Sequence, residues 1–425
     1  MEKYLIKKNK IHTNMIKLTT YSIKGSDDFE LDLPRTSELT YHLAQNHDLE
    51  PDGIIFIIPG FGNDANLDYQ KNIIKYIAKE YNLLAIFVEY HSCFNRQENG
   101  AHLEFNDFDL NIFNEILDRY DIDLKSDRLS FYEKLEILNT YIDNEKLKNP
   151  DFKNYRENIF ATLMPKKNEY QNFGILQSLD ILTVLYHIKS LGYKDIISKK
   201  PIIAVGSSHG GYIANLLMKF APNTFDVIIE NSGYIKPPLR YIIGQETDTR
   251  MAECLSTYKE SILIHSFTYT KWSTNKKSPY YFSSSAYEIR DLSNKLHIQE
   301  LSKHGNKTQI ISYHSTEDQI ASFTDKENYL NELSSCHFNI SLHSVYSKDQ
   351  IDGKFIKNLK HAMGMSNKEL LKNTLPNILK NYTSSTTTDI CKLSNIEYKT
   401  SNGNIYRFRF MKNNIEANLI KSEII

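Results

Sequence analysis

Between Ile202 and Leu217 the chain reads IIAVGSSHGGYIANLL, a stretch that gathers two serines, a histidine and three glycines where a strand gives way to a helix. The apolar, β-branched run breaks at Gly206 and resumes with helical spacing at Tyr212. Glycine relieves the crowding of so tight a turn. Read as G-x-S-x-G, the turn is Gly206, Ser207, Ser208, His209 and Gly210, with Ser208 at the strained tip and its hydroxyl raised above the sheet. The chemistry this allows is nucleophilic attack on an acyl carbon. The same letters also occur in purely structural turns. Here a strand (Pro201–Val205), a helix (Tyr212–Phe220) and a further small residue, Gly211, at the helix–strand contact favour the catalytic reading.

A serine hydroxyl is a poor nucleophile at neutral pH, so Ser208 needs an imidazole to take its proton and a carboxylate to orient that imidazole. On an open parallel sheet the acid is expected at the carboxyl end of a later strand, and the histidine in a loop beyond it. The segment TQIISYHSTEDQIASF is such a strand running into a polar turn, with Asp318 just past its end. Glu317 is the adjacent rival, and a helix cap is the alternative role for Asp318. Three histidines follow the acid: His337 at the entry to the last strand, His343 inside it, and His361 in FIKNLKHAMGMSNKELL beyond it. The first two read as sheet or core residues. His361 is the candidate base, with a solvated loop histidine as its alternative.

Acyl transfer also needs donors aimed at the developing oxyanion. One is expected from the backbone N–H of His209, directly after the nucleophile. The other is expected in the loop after the first central strand, where IIFIIPGFGNDAN supplies Pro59-Gly60-Phe61-Gly62. The Phe61 N–H is the candidate donor, with Gly62 as the alternative. The His209 side chain reads as a positioning group rather than the base.

The elements that must hold these residues are those of an α/β fold. Short apolar runs alternate with helical patterns, the sequence form of a parallel sheet covered by helices. Strands are expected at Gly53–Ile58, Leu83–Glu89, Pro201–Val205, Phe225–Glu230, Thr308–His314 and Asn339–Tyr346, with IKLTTYSI and FELDLP as an antiparallel edge. Helices are expected at Leu67–Tyr81, Phe173–Leu191, Tyr212–Phe220, Thr324–Leu333 and Asn367–Leu379. Two long stretches break the alternation and read as cap insertions over the site. The α/β core is therefore expected in pieces: 1–93, then cap 94–169, core 170–233 with the Ser208 turn (the elbow), cap 234–307, core 308–380, and a C-terminal β-hairpin extension 381–425 around Asn-Gly. Trp272 and Tyr281, in the aromatic second insertion, are the candidate substrate-binding residues. Surface decoration or a homodimer contact is the alternative role for the insertions.

Composition bounds the function classes. The 425 residues carry 51 basic and 52 acidic side chains, a formal net charge of -1, so no overall field favours nucleic acid or an anionic membrane. Lysines interrupt the apolar residues of MEKYLIKKNKIHTNMIKLTT, which reads as neither a signal nor a transit segment, and no run reaches the length of a membrane span. Cys93, Cys254, Cys336 and Cys391 lie far apart, without zinc-site or disulfide-scaffold spacing. A cytoplasmic protein without cofactor or metal is the expectation. Low complexity is confined to SSTTTD, and 28 tyrosines supply amphipathic rings for a cleft or surface.

GSSHGG, the PGFG loop, the Asp318 turn and His361 together resemble the α/β-hydrolase superfamily, closest to its acetyl-xylan-esterase-like and prolyl-oligopeptidase-like members, over about Asp52 to Leu379. Within that span YQNFGILQSLDILTVL, with ELDLPR ahead of it, is similar to a bacterial family associated with flagellin-modification loci of campylobacter-type bacteria. The stretch ahead of the first central strand is too short for the β-propeller of prolyl-oligopeptidase-type peptidases, and PGFG stands where many lipases have a histidine-led loop. The resemblance implies a serine hydrolase. A cap rich in Tyr, Ser and Asn points to an acyl ester of a sugar-like or other polar small molecule rather than a long-chain lipid. An acyltransferase with the same triad, or a non-catalytic interaction protein on the same fold, are the alternatives.

Overall fold

Apolar runs without polar interruption read as strands buried on both faces. Every residue of Ile54–Ile58 and Ile202–Ser207 is buried. The computed structural model describes residues 15–62, 65–124, 128–244, 252–383 and 394–422. Most of the amino-terminal segment, Cys391 and SSTTTD lie outside them. In chain order the first elements are β1 (Ile16–Lys24), β2 (Glu38–Asn46), β3 (Ile54–Ile58), α1 (Leu67–Tyr81) and β4 (Leu84–Glu89). Next come β5 (His102–Glu104), α2 (Asp107–Arg119), α3 (Phe131–Lys148), β6 (Glu157–Met164), α4 (Ile175–Ile188) and α5 (Lys194–Lys199). The middle of the chain holds β7 (Ile202–Ser207), α6 (His209–Phe220), β8 (Val227–Asn231), β9 (Cys254–Tyr258) and β10 (Ile262–Thr268). Then follow α7 (Ser284–Arg290), α8 (Lys295–His304), β11 (Gln309–Ser315), α9 (Phe323–Ser335), β12 (Asn339–Val345) and α10 (Asn367–Asn381). The last strands are β13 (Asn395–Lys399), β14 (Ile405–Phe410) and β15 (Ile415–Ile420).

The main sheet has eight strands in the order β1-β2-β4-β3-β7-β8-β11-β12. From β4 to β12 every pairing is parallel, and β2 runs antiparallel to both β1 and β4. Helix α1 shows how sequence sets an element here. Asn66 caps its first turn by accepting from Asp68 and Tyr69 N–H, Ile73, Ile74, Ile77 and Ala78 form its buried face, and Asn82 ends it in the left-handed conformation. Helix α4 is apolar nearly all round and buried accordingly, packed against α6. Among the described residues no helix is long and apolar enough to cross a membrane.

Three expectations change. FELDLP is not the second edge strand; β2 takes that place, paired with β1 from Ile16↔Asn46 to Lys24↔Glu38. The Asp28 carboxylate accepts the Glu30 and Leu31 N–H groups and folds the stretch into a turn, leaving one isolated bridge, Asp28↔Leu33. Pro34 then has no N–H to offer a ladder. The C-terminal extension is a three-stranded antiparallel sheet, β13-β14-β15, rather than a hairpin. Gly403, at φ 86°, turns β13 into β14, and the sheet is sewn to the body by Tyr398, Tyr406 and Phe408, the last stacked on Phe220 at 4.2 Å.

The third change concerns the insertions. They do not form two caps but share one sheet, β5-β6-β10-β9, in which β6 of the first runs parallel to β10 of the second. Helices α2 and α3 cover it, with Phe113, Ile116, Leu135, Leu138, Ile159 and Ile264 in a core separate from the main one. Other described residues of the second insertion belong to the body: Trp272, Phe282, Ile289 and Leu301 join the main core.

Candidate active site

Ser208 sits between the end of β7 and the start of α6 with φ 54° and ψ -122°, a backbone conformation that a side-chain-bearing residue adopts only under strain. The glycines on either side make it attainable. A Cβ on Gly206 would stand 2.2 Å from the Gly210 carbonyl, and one on Gly210 would stand 2.0 Å from the Ile58 oxygen. The Ser208 N–H is fixed to the Asn231 carbonyl at 2.8 Å, so strands β7 and β8 together hold the tip.

The structure brings Ser208, His361 and Asp318 together. His361 Nε2 lies 2.7 Å from Ser208 Oγ, and His361 Nδ1 lies 2.8 and 3.0 Å from the two Asp318 oxygens. An ionised carboxylate can only accept, so Nδ1 carries the proton and Nε2 is left to accept from the serine hydroxyl. Asp318 also accepts the Ile320 and Ala321 N–H groups at 2.9 and 3.0 Å. Burial opposes its charge, but hydrogen bonds from His314 and His361 outweigh that and hold the carboxyl below the usual carboxylate range. Its neighbour Glu317 is exposed and, among the described residues, makes no hydrogen bond or ion pair with His361. The histidine loop is pinned to the end of β8: Asn231 Nδ2 donates to the Ala362 carbonyl at 3.0 Å, and Ala362 N–H donates to Ser232 Oγ at 3.1 Å.

His209 is buried, and its ring stacks on Phe61 with centroids 4.0 Å apart. Gln177 uses its amide nitrogen on the His91 carbonyl at 3.0 Å, which leaves Oε1 to accept from His209 Nε2 at 2.7 Å. Burial pushes the imidazole well below its usual pKa, so it stays neutral. Neither the Phe61 nor the His209 backbone N–H is taken by another group of the described residues. His343 stacks on Tyr313 at 4.4 Å in the sheet, and His337 is exposed after α9, both away from Ser208.

Trp272 and Tyr281 are not brought to this constellation. Trp272 is 4% exposed, packs edge-on against Phe282 and lies under the Arg290 guanidinium. Tyr281 sits in a turn closed by its N–H on the Ser278 carbonyl. The side chains that do surround the elbow come from elsewhere. Tyr234, just beyond β8, lies face to face with His361 at 6.2 Å, its phenol in reach of the Ser208 and Tyr241 hydroxyls. Arg240 donates to Tyr241 Oη at 2.8 Å. From the insertions, Arg96 covers the Phe61 ring at 5.4 Å and is neutralised by Glu253. Beneath the loop, a fully buried Glu230–Lys326 pair at 2.5 Å holds Gly233 N–H through the second Glu230 oxygen. None of these had a local signal in the sequence, since each acts through a neighbour far along the chain. Among the described residues no group of three or more His, Cys, Asp or Glu is placed to hold a metal ion.

The strand order, the strained serine at the end of β7, and an acid and a histidine following β11 and β12 define an α/β-hydrolase fold. Within it, the chain belongs to the DUF2920 family, described as a protein of unknown function, whose model matches residues 19–419. No curated protein is similar to it in sequence. Among solved structures it is similar to the acylaminoacyl peptidase of Pyrococcus horikoshii, at 10% identity and a TM-score of 0.42 over 88% of this chain and 43% of the peptidase. It is also similar to an esterase of the planctomycete Thermogutta terrifontis, at 10% identity and a TM-score of 0.40 over 81% of this chain and 88% of the esterase. The chain thus spans less than half the length of that peptidase.

Proposed function

We propose that this chain is a serine hydrolase that cleaves an acyl ester of a sugar-like or other polar small molecule through an acyl-enzyme on Ser208. The observation that carries this reading is the unbroken line from Ser208 Oγ through His361, 2.7 Å away, to the Asp318 carboxylate, 2.8 Å beyond the other ring nitrogen. Ser208 Oγ attacks the ester carbonyl as its proton passes to His361 Nε2, and Asp318 stabilises the imidazolium that forms. The untaken Phe61 and His209 N–H groups receive the oxyanion. The tetrahedral adduct collapses, the alcohol leaves with the His361 proton, and water then releases the acid by the same route in reverse.

The polar substrate class is supported by the phenols of Tyr234 and Tyr241 and the Arg240 guanidinium beside the elbow. The deciding experiment is labelling by a fluorophosphonate probe together with turnover of short esters. Both should occur in the native chain and vanish in Ser208→Ala. Labelling that persists in that variant would remove the assignment.

A further inference from the structure

His361 handles both partners of the acyl group: it protonates the departing alcohol and deprotonates the incoming water. Whatever binds the alcohol must therefore lie against its imidazole. His361 is one of the residues lining a cavity of about 600 Å3, on the side of the histidine loop away from Phe61 and His209, neither of which lines it, and pockets for small molecules run from roughly 300 to 1,000 Å3. It lies between the acid turn after β11 and the loops between β12 and His361, so both catalytic loops form its walls.

The charge around this cavity is unbalanced. Lys348 and Lys360 line it, both exposed, and among the described residues neither has a carboxylate within ion-pair distance. The carboxylate in the wall is Glu317, which pairs with neither of them. Other lysines of the same region are neutralised locally, as Lys354 and Lys372 are by Glu369. Ile320, 45% exposed, and Ile351 give the same wall an apolar face. An ammonium is a compact point charge that suits carboxylate and phosphate groups alike.

We propose that this cavity takes the alcohol half of the ester and selects alcohols that combine an apolar body with an anionic group, a carboxylate or a phosphate. The inference rests on the serine hydrolase reading above. In the step concerned, the bond between the acyl carbon and the alcohol oxygen breaks as the His361 proton moves to that oxygen. The acyl group remains on Ser208 Oγ, and the anionic alcohol is released into the lysine-lined cavity.

The test compares aryl acetates that differ only in the para group of the leaving phenol: 4-acetoxybenzoate, 4-acetoxyphenyl phosphate, neutral 4-acetoxybenzamide and cationic 4-acetoxyphenyl-trimethylammonium. At low salt kcat/KM should favour the two anionic esters over the amide by at least about fivefold, the effect of one or two exposed charge pairs. The cationic ester should be slowest. At about 0.5 M salt the differences should shrink toward equality. Lys348→Gln and Lys360→Gln should each lower the ratio of anionic to neutral turnover, and Glu317→Gln should raise it. The ratio of phosphate to carboxylate turnover identifies which anion the site prefers. If the neutral ester is cleaved while the anionic esters are no faster, or if both lysine variants keep the native ratio, the inference is overturned and the hydrolase reading stands. If no ester is cleaved and the fluorophosphonate leaves Ser208 unlabelled, the hydrolase reading fails and the inference falls with it.

Discussion

His314 Nε2 lies 3.4 Å from the Asp318 carboxylate, on the residue that also holds His361. The same nitrogen lies 3.0 Å from the Ala321 carbonyl, so it carries a proton shared between the two oxygens. Buried at the end of β11, His314 fixes the rotation of the acid rather than touching the reacting atoms. His314→Leu should lower kcat for a short ester by about tenfold with KM little changed, the scale of one lost charge-assisted hydrogen bond. His314→Gln, whose amide nitrogen can replace Nε2, should recover most of the loss. Equal damage from both substitutions would assign His314 to packing alone.

The depressed pKa of Asp318 ties stability to acidity. Its folded value lies below that of an unfolded aspartate, near 4. Its contribution is therefore full above that unfolded value and is lost as pH falls through the folded one. Melting temperatures of the native chain and Asp318→Asn, measured from pH 7 to pH 2.5, should converge as the medium becomes acid. A gap that stays constant across that range would contradict the assignment of this carboxyl as strongly held in its ionised form.

The strain at Ser208 gives a second stability test. Glycine tolerates φ 54° without penalty, so Ser208→Gly should abolish activity and raise stability by about 1 kcal/mol, the usual cost of such a conformation. Denaturant unfolding reads this directly. A less stable Ser208→Gly chain would mean that hydrogen bonding by the serine hydroxyl outweighs the strain.

Trp272 offers a test of core against pocket. Burial among Phe282 and Arg290 predicts that Trp272→Ala costs about 3–5 kcal/mol. The ratio of turnover between small and bulky esters should change little, because specificity is differential binding of the transition state and Trp272 packs on Phe282 and Arg290 rather than beside Ser208. A stable variant with altered ester preference would restore Trp272 to the substrate pocket.

The parts of this molecule legible in the sequence are those whose constraint is local. Gly206 and Gly210 are forced by atoms within the turn and the adjoining strand, so the elbow stood out as a spacing. Asp318 and His361 followed from chain order along a parallel sheet. Tyr234 and His314 did not, since one owes its role to a serine across the strand ends and the other to a carboxylate already assigned. Strand β2 escaped because FELDLP shows stronger alternation, yet Asp28 spends its carboxylate on closing a turn there. An aromatic ring reads the same in a cleft and in a core, so the sequence alone does not separate the two for Trp272. Its burial depends on Arg290 and Phe282, which converge only after folding.

The pairing of β6 with β10 sets an order of events during synthesis. Glu157 meets Ile262 only after a stretch of roughly a hundred residues, including the whole elbow, has left the ribosome, and closing so long a loop is slow. Until then the core of Phe113, Leu135, Leu138 and the β6 residues Ile159, Ala161 and Leu163 lacks Ile262 and Ile264. The nascent chain therefore carries an incomplete second core while Ser208 and the rest of the β7–α6 turn are being laid down, and that interval is when a chaperone would find most to hold.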